Sequence, residues 1–348
     1  MINNNCTLCE GRGFTTYFRE GYEFAKKCDC VSDSASITKN ILKETIKSCN
    51  SKKSKSFFKK ILSQINSTNS FENVSLSSLL NIKPTNTNYL KTGIYNIDKL
   101  HSKGSLATSN LHLIIGDANS GKSSLIEHIA LTNAKNKKKT AIFSLDNTKE
   151  NIFARFQAKT SGVSLNKILT KTINSNDYKK FHDAAYLNRL SYSDFYTIDS
   201  KDNHIGTILS DIYTLSVDDG IEVFFIDCIQ QLLMPNNESI KSILEYNAIS
   251  FLLTTIIKKL NITIFAVSQK NASINSNKRN DSLYINSMSC SLAQSAATII
   301  STSIRDLNNN NVPKKIMKVK IEKNRYLKPG TTAEVLFDQD TTKIINIF

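Results

Sequence analysis

Short apolar runs alternate along most of the chain with longer stretches in which apolar residues recur at helical spacing. The runs are Leu111-His112-Leu113-Ile114-Ile115, Thr140-Ala141-Ile142-Phe143-Ser144, Ile221-Glu222-Val223-Phe224-Phe225-Ile226, Ile262-Thr263-Ile264-Phe265-Ala266-Val267 and Thr298-Ile299-Ile300. Each has the length of a strand and the near-continuous apolar character of one buried on both faces. The clearest helix follows the first run, Ser124 to Ala130, with apolar residues at 125, 126, 129 and 130. Strand and helix in alternation predict an α/β domain with a mostly parallel sheet, beginning near Thr92 and running to the C-terminus. Its end, from Ile316 to Ile347, reads as β-strands and hairpins, and no internal repeat is visible.

The first third follows other rules. Four of the seven cysteines fall within residues 1–30. Residues 35–62 read as helical and basic, as in Lys52-Lys53-Ser54-Lys55-Ser56-Phe57-Phe58-Lys59-Lys60. The stretch from Ser63 to Asn88 is rich in Ser, Asn and Thr, with Pro84 near its end, and reads as a linker. The expected division is a small cysteine module over 1–34, a basic helical segment and linker over 35–88, and the α/β domain over 89–348.

Composition adds a partner. Lys and Arg number 45 against 30 Asp and Glu, a net charge of +15. A chain with that balance is expected to touch a polyanion, and nucleic acid fits best. The alternative is a chain that is Lys- and Asn-rich by habit. No run of eighteen apolar residues is present, so no membrane partner is expected. The N-terminal residues lack the pattern of a secretory signal, so a cytoplasmic protein is expected, with cysteines as thiols or metal ligands rather than disulfides.

The chemistry begins at Gly116-Asp117-Ala118-Asn119-Ser120-Gly121-Lys122-Ser123, which fits the phosphate-binding pattern G-x-x-x-x-G-K-[ST] between a strand and a helix. Gly116 and Gly121 let backbone N–H groups close around phosphate oxygens. Asn119, Ser120 and Ser124 complete the loop, and the helix start adds partial positive charge. Lys122 is placed to reach the β- and γ-phosphates, and the Ser123 hydroxyl to sit on Mg²⁺. ATP and Mg²⁺ are thus the expected ligands. A chance glycine turn is the alternative, and the flanks argue against it. A second motif, Val223-Phe224-Phe225-Ile226-Asp227, ends an apolar strand in a carboxylate at the sheet edge where the Mg²⁺ needs a ligand.

Cys6-x-x-Cys9 and Cys28-x-Cys30 form the other constellation, separated by a segment containing Gly11, Gly13 and Gly21. Four thiolates from two short knuckles suit tetrahedral Zn²⁺. Cys9-Glu10-Gly11-Arg12-Gly13-Phe14 resembles zinc knuckles, including those at the front of some helicase-loader proteins. Free or redox-active thiols, or no role at all, are the alternatives. Tyr17, Phe18, Tyr22 and Phe24 interleave with Arg12, Arg19, Lys26 and Lys27, which suits stacking on single-stranded nucleic acid and equally suits the core of a small zinc module. Cys49, Cys228 and Cys290 lack partners at ligand spacing and read as packing residues.

Residues 92–348 resemble the ATPase domain of DnaB-type replicative helicases, a branch of the RecA-like ATPases. Five segments carry the likeness in order beside the phosphate loop. Thr92-Gly93-Ile94-Tyr95-Asn96-Ile97-Asp98 resembles the family's T-G-x-x-x-L-D. Ala141-Ile142-Phe143-Ser144-Leu145-Asp146 resembles I-F-S-L-E. Ile226-Asp227-Cys228-Ile229-Gln230 resembles I-D-Y-L-Q. Val267-Ser268-Gln269-Lys270-Asn271 resembles L-S-Q-L-N. Lys323-Asn324-Arg325 before Gly330 resembles K-x-R-x-G. The resemblance implies a RecA-like core in which Asp227 holds Mg²⁺, Asp146 orients the attacking water and Gln269 senses the γ-phosphate. It also implies that Arg325, with Lys323 beside it, reaches into a neighbour's ATP. A finger acting in trans requires a homo-oligomer, a hexameric ring or a filament. The bland alternatives are a strand-end cap for Asp146, a backbone bridge for Gln269, and one solvated basic face for Lys323 and Arg325.

Three departures stand out. Asp146 is shorter than the family's Glu, a shift of about 1 Å in the carboxylate. The phosphate loop lacks the family's Arg-Pro pair. Residues 286–297 lack the charges of the corresponding L-R-E-S-G-S-I-E-Q-D-A-D stretch. The expected function is an ATP-driven helicase or translocase acting on single-stranded DNA in replication, with further replication proteins met through the N-terminus. An ATP-switched helicase loader, or a RadA-like recombination mediator, stands beside it. So does a degenerate paralogue with little ATP binding.

Overall fold

The computed structural model describes residues 14–19, 22–27, 34–66, 88–99, 104–198, 202–240, 242–269, 290–306 and 314–347. Strands β1 (Phe14–Arg19) and β2 (Tyr22–Lys27) pair as an antiparallel hairpin. Helices α1 (Ser34–Ser48) and α2 (Lys52–Asn66) follow. The chain then runs through β3 (Tyr89–Leu90), α3 (Tyr95–Asp98), β4 (Leu106–Ala107), β5 (Leu111–Gly116), α4 (Lys122–Lys135), β6 (Thr140–Ser144) and α5 (Lys149–Ser161). Next come α6 (Leu165–Leu169), α7 (Ser175–Ser191), β7 (Phe195–Ile198), α8 (Ile205–Asp218), β8 (Val223–Asp227), α9 (Ile243–Leu260) and β9 (Thr263–Gln269). Helix α10 (Cys290–Ser295) leads into β10 (Thr298–Asp306), β11 (Lys314–Asn324), β12 (Thr332–Asp338) and β13 (Lys343–Asn346).

Nine strands form one sheet in the order β13-β12-β11-β10-β5-β9-β8-β6-β7. Every pairing from β10 through β7 is parallel, and those from β10 to β13 are antiparallel. This is the mostly parallel α/β sheet the apolar runs predict. β10 extends well past the predicted 298–300 because Thr302 to Asp306 pair with β11 alone, where a half-polar strand suffices. Strand β7 is not evident in the apolar pattern. It is an edge strand whose residues are half-buried or exposed.

Apolar side chains leave the central strands on both faces. Phe224 and Ile226 of β8 enter one core with Leu113, Leu209, Ile249 and Leu252. Val223 and Phe225 enter the other with Leu125, Ile129, Phe265 and Val319. α4 covers the second face, and α8 and α9 cover the first. Helix α9 starts with a capping box, Ser242 against Glu245, which satisfies backbone donors otherwise left open at a helix start.

The basic segment does not stand free of this body. Ile41, Leu42, Phe58 and Ile61 of α1 and α2 are fully or almost fully buried in the first core, beside Ile208, Leu209 and Tyr213. Phe57 packs on Tyr213 with ring centroids 4.6 Å apart and planes tilted by 39°. α1 crosses α8 at Gly206, where a Cβ would stand 3.1 Å from the backbone N of Thr45. Burying an aliphatic or aromatic side chain contributes roughly 1.5–3 kcal/mol, so the charged face is the outer face of a packed helix pair. The stretch read as a linker lies mostly outside the described residues.

Candidate nucleotide site at the carboxyl edge

β5 ends at Gly116, and the chain turns through residues 117–121 into α4. Gly116 must be glycine, because a Cβ would lie 2.3 Å from Ser120 Oγ and 2.9 Å from Thr302 O. Asn119 and Gly121 both take positive φ, 59° and 83°. A Cβ on Gly121 would also meet Met317 Cε at 2.3 Å. Gly121 is the N-cap of α4 and no side chain caps the helix, so its first N–H groups point to the cleft. Such a helix start is suited to phosphate.

The cleft has a volume of about 700 Å³. Asn119, Ser120, Gly121, Lys122, Ser123 and Ser124 line it together with Asp146, Asp227 and Gln269. Strand register explains the meeting. Ser144 pairs with Asp227, and Gly116 with Gln269, so four strands end together at one edge. Lys122 Nζ donates to Asp117 O at 2.5 Å. Burial holds the Lys122 ammonium below its usual pKa, and Asp227, Cys228 and Asp117 oppose that. Burial pushes the Asp227 carboxyl up, Glu127 and Asp146 add to it, and a hydrogen bond from Ser123 opposes it. A buried carboxylate crowded by two other carboxylates and touching a hydroxyl makes a hard oxygen pair that fits Mg²⁺. Gln230, of the segment matched to I-D-Y-L-Q, donates through Nε2 to Ser268 Oγ at 2.8 Å and so braces the strand end that carries Gln269.

Several cleft residues carry no signal that the motifs exposed. Arg155 of α5 lines the cleft and donates to Ser124 Oγ at 3.0 Å and to Glu127 Oε1 at 2.5 Å. Glu127 also accepts from Lys159. Burial alone would raise the Glu127 carboxyl, but Lys159 and Arg155 outweigh it and hold it low. Burial brings Lys159 down to about 8. The one available hint was Arg155 and Lys159 at i and i+4, like charges that need an anion facing them. Ile304, Lys315, Phe337, Gln339 and Thr342 close the other end of the cleft, from the antiparallel strands and the β12–β13 turn.

Lys323 and Arg325 are not in this cleft. Asn324 pairs with Thr298, and Thr298 with His112 near the start of β5. That is the amino edge of the parallel strands, about 13 Å along β5 from the phosphate loop at ~3.3 Å per residue. Lys323 Nζ donates to Ala293 O at 2.8 Å, and an Arg325 guanidinium N–H to Gln294 O at 2.6 Å. Both cations thus sit on carbonyls at the C-terminal end of α10. Around them Leu292, Ala293, Ala296 and Ala297 are buried, which accounts for apolar residues where the resembled family carries charge. Cys6, Cys9, Cys28 and Cys30 lie outside the described residues. Among the described residues no group of three or more His, Cys, Asp or Glu is placed to hold a metal, and no helix is long and apolar enough to cross a membrane.

A family model described as the DnaB-like helicase C terminal domain matches residues 90–346. Among solved structures the chain is similar to one described as an ATPase domain, at 20% sequence identity and a TM-score of 0.62, over 75% of this chain and 92% of that one. It is also similar to a DnaB-like replicative helicase described with its interactions with primase, at 20% identity and a TM-score of 0.64, over 88% of this chain and 75% of that one. At such identity these likenesses speak for the fold. No curated protein matches. The family match takes in the phosphate loop, the carboxylate edge facing it and every strand of the nine-stranded sheet, and the chain belongs to the DnaB-like helicases, ATP-hydrolysing enzymes of DNA replication.

Proposed function

We propose that the chain binds ATP and Mg²⁺ in the carboxyl-edge cleft and uses hydrolysis to move along single-stranded DNA as a ring or filament of identical copies. Lys122 neutralises the β- and γ-phosphates. Ser123 and Asp227 would hold the metal, which would supply positive charge beside the phosphate oxygens. Asp146 orients the attacking water, and Gln269 reports the γ-phosphate to the strand end it stands on. The observation that carries the oligomer is the position of Arg325. It lies at the opposite edge of the sheet from its own cleft, so the nucleotide it can serve belongs to another copy. A guanidinium supplied in trans is worth about 10³–10⁵ in rate.

ATPase rate with and without a single-stranded oligonucleotide tests this. DNA should raise the rate, Lys122→Ala should abolish it, and Arg325→Ala should abolish it while nucleotide binding persists. A rate indifferent to DNA removes the motor. Mixing Arg325→Ala with Lys122→Ala subunits should restore activity at seams that pair an intact cleft with an intact Arg325. Failure to unwind a forked duplex, with DNA-stimulated ATPase intact, would favour the loader.

The Zn²⁺ site belongs to the same proposal. Cys6, Cys9, Cys28 and Cys30 are its ligands, four soft thiolates that suit tetrahedral zinc. Its support is the β1–β2 register, with Phe14 opposite Lys27. Cys28 follows Lys27 directly. Elemental analysis should find one zinc per chain in the native protein and loss of it in Cys9→Ser with Cys28→Ser. Full zinc in that double variant rejects the assignment.

A further inference from the structure

Asp146 lies two residues beyond β6, exposed, directly after a residue whose backbone is pinned at both its N–H and its carbonyl. Leu145 N donates to Asp227 O at 2.7 Å, and Asn203 Nδ2 donates to Leu145 O at 3.2 Å. Its side chain is another matter. Among the described residues one donor reaches the carboxylate, the Cys228 thiol, with Sγ 3.6 Å from Oδ2. That meeting follows from register. β6 and β8 are neighbours with Ser144 opposite Asp227, so the residues just past each strand face one another at the sheet edge. Cys228 is 2% exposed and belongs to the apolar core that includes Ile142 and Phe225. The core holds its backbone and Cβ, and the thiol lines the cleft.

A freely rotating Asp samples several rotamers, and only some aim an oxygen at a water in line with the γ-phosphate. We propose that Cys228 is a positioning residue for Asp146. Its S–H donates to Oδ2, selects one rotamer and leaves Oδ1 open to the attacking water. The proposal rests on the water-orienting role of Asp146. A thiol is a weak donor, but an ionised acceptor strengthens the bond. The short Asp side chain makes the device matter, since misplacing a reacting group by about 1 Å can cost on the order of 10²-fold.

The test is single-turnover ATP hydrolysis with saturating oligonucleotide, read beside equilibrium binding of ATP and the Tm. Cys228→Ala and Cys228→Val both remove the donor, and the valine keeps the packed volume. Each should slow hydrolysis about 3- to 10-fold, the span of an ordinary hydrogen bond, since the weak thiol donor offsets the gain from a charged acceptor, with ATP affinity and Tm close to the parent values. In an Asp146→Ala background the same changes should cost nothing further, because the thiol acts only through the carboxylate. The proposal falls if either donor-free variant that keeps the parent Tm hydrolyses ATP at the parent rate. It falls equally if Cys228→Val costs as much with Asp146→Ala as without, which marks a packing effect. Full turnover by Asp146→Ala alone would instead remove the role of Asp146, an outcome distinct from the other two.

Discussion

Glu127 is the sharpest place to perturb the body beneath the phosphate loop. It lies inside α4 and binds two cations of α5, Arg155 with Nε 2.5 Å from Oε1 and Lys159 on Oε2. Glu127→Gln keeps the shape and removes the charge. Lys159 has a partial escape, since it can lose its proton. Its pKa stands at about 8 in the fold against the usual 10.5 of an exposed lysine. At pH 7.5, pushing it far lower costs only about 1 kcal/mol more, because most of the cost of neutralising it is already carried. Arg155 cannot deprotonate, so its lost partner sets the remainder. Removing one member of a buried pair costs about 3–5 kcal/mol, and Arg155 keeps some solvent, so a total of about 3 kcal/mol is expected at pH 7.5. The sign with pH follows. A lysine whose folded pKa is depressed makes the unfolded chain hold more protons between about 8 and 10.5, so stability rises with pH across that window. In the variant the rise should begin below pH 8, and the gap to the parent should narrow by pH 9. Urea unfolding followed by far-UV circular dichroism at pH 7.5 and 9 measures both. A loss under about 1 kcal/mol at pH 7.5, or a gap that widens at pH 9, would refute the buried triad.

Three further outcomes are expected. Gly121→Ala forces a Cβ onto Met317 and a non-glycine residue into positive φ, a strain of about 1–3 kcal/mol, and ATP binding measured by titration should fall at least tenfold. Phe58→Ala should cost about 3–5 kcal/mol in urea unfolding, because α2 is part of the body's core, and a cost near zero would contradict that packing. His112 is fully buried against Phe265, and burial lowers its pKa from 6.5 to about 4. The unfolded chain then takes up the proton first as pH falls, so His112 should remove up to about 3 kcal/mol between pH 6.5 and 4; unfolding of His112→Asn should show a shallower loss over that range.

The cleft was largely legible in the chain because its parts are local. A glycine loop between strand and helix, and a carboxylate at a strand end, are backbone events written within a few residues. Asp146 and Gln269 were reachable by the same logic, each standing at or just past the end of a parallel strand. Arg155 and Glu127 were not. They are distant in sequence, each looks like an ordinary helix charge, and only the packing of α5 on α4 makes them one buried group. The packing of the helix pair α1–α2 was hidden for a related reason. Its lysines dominate the local composition, while the residues that matter, Ile41, Leu42, Phe58 and Ile61, announce burial without naming the surface that covers them.

The amino-acid order by itself determined the α/β class, the phosphate loop, the strand-end carboxylates and the basic character of the protein. These depend on side-chain period and short-range backbone geometry, which the chain carries wherever it goes. Tertiary structure alone decided that Lys323 and Arg325 stand at the opposite edge from their own cleft, that Cys228 faces Asp146, and that a lysine-rich helical segment packs onto the α/β body. Those facts depend on strand order and helix packing, and these arise from distant parts of the chain burying apolar surface together.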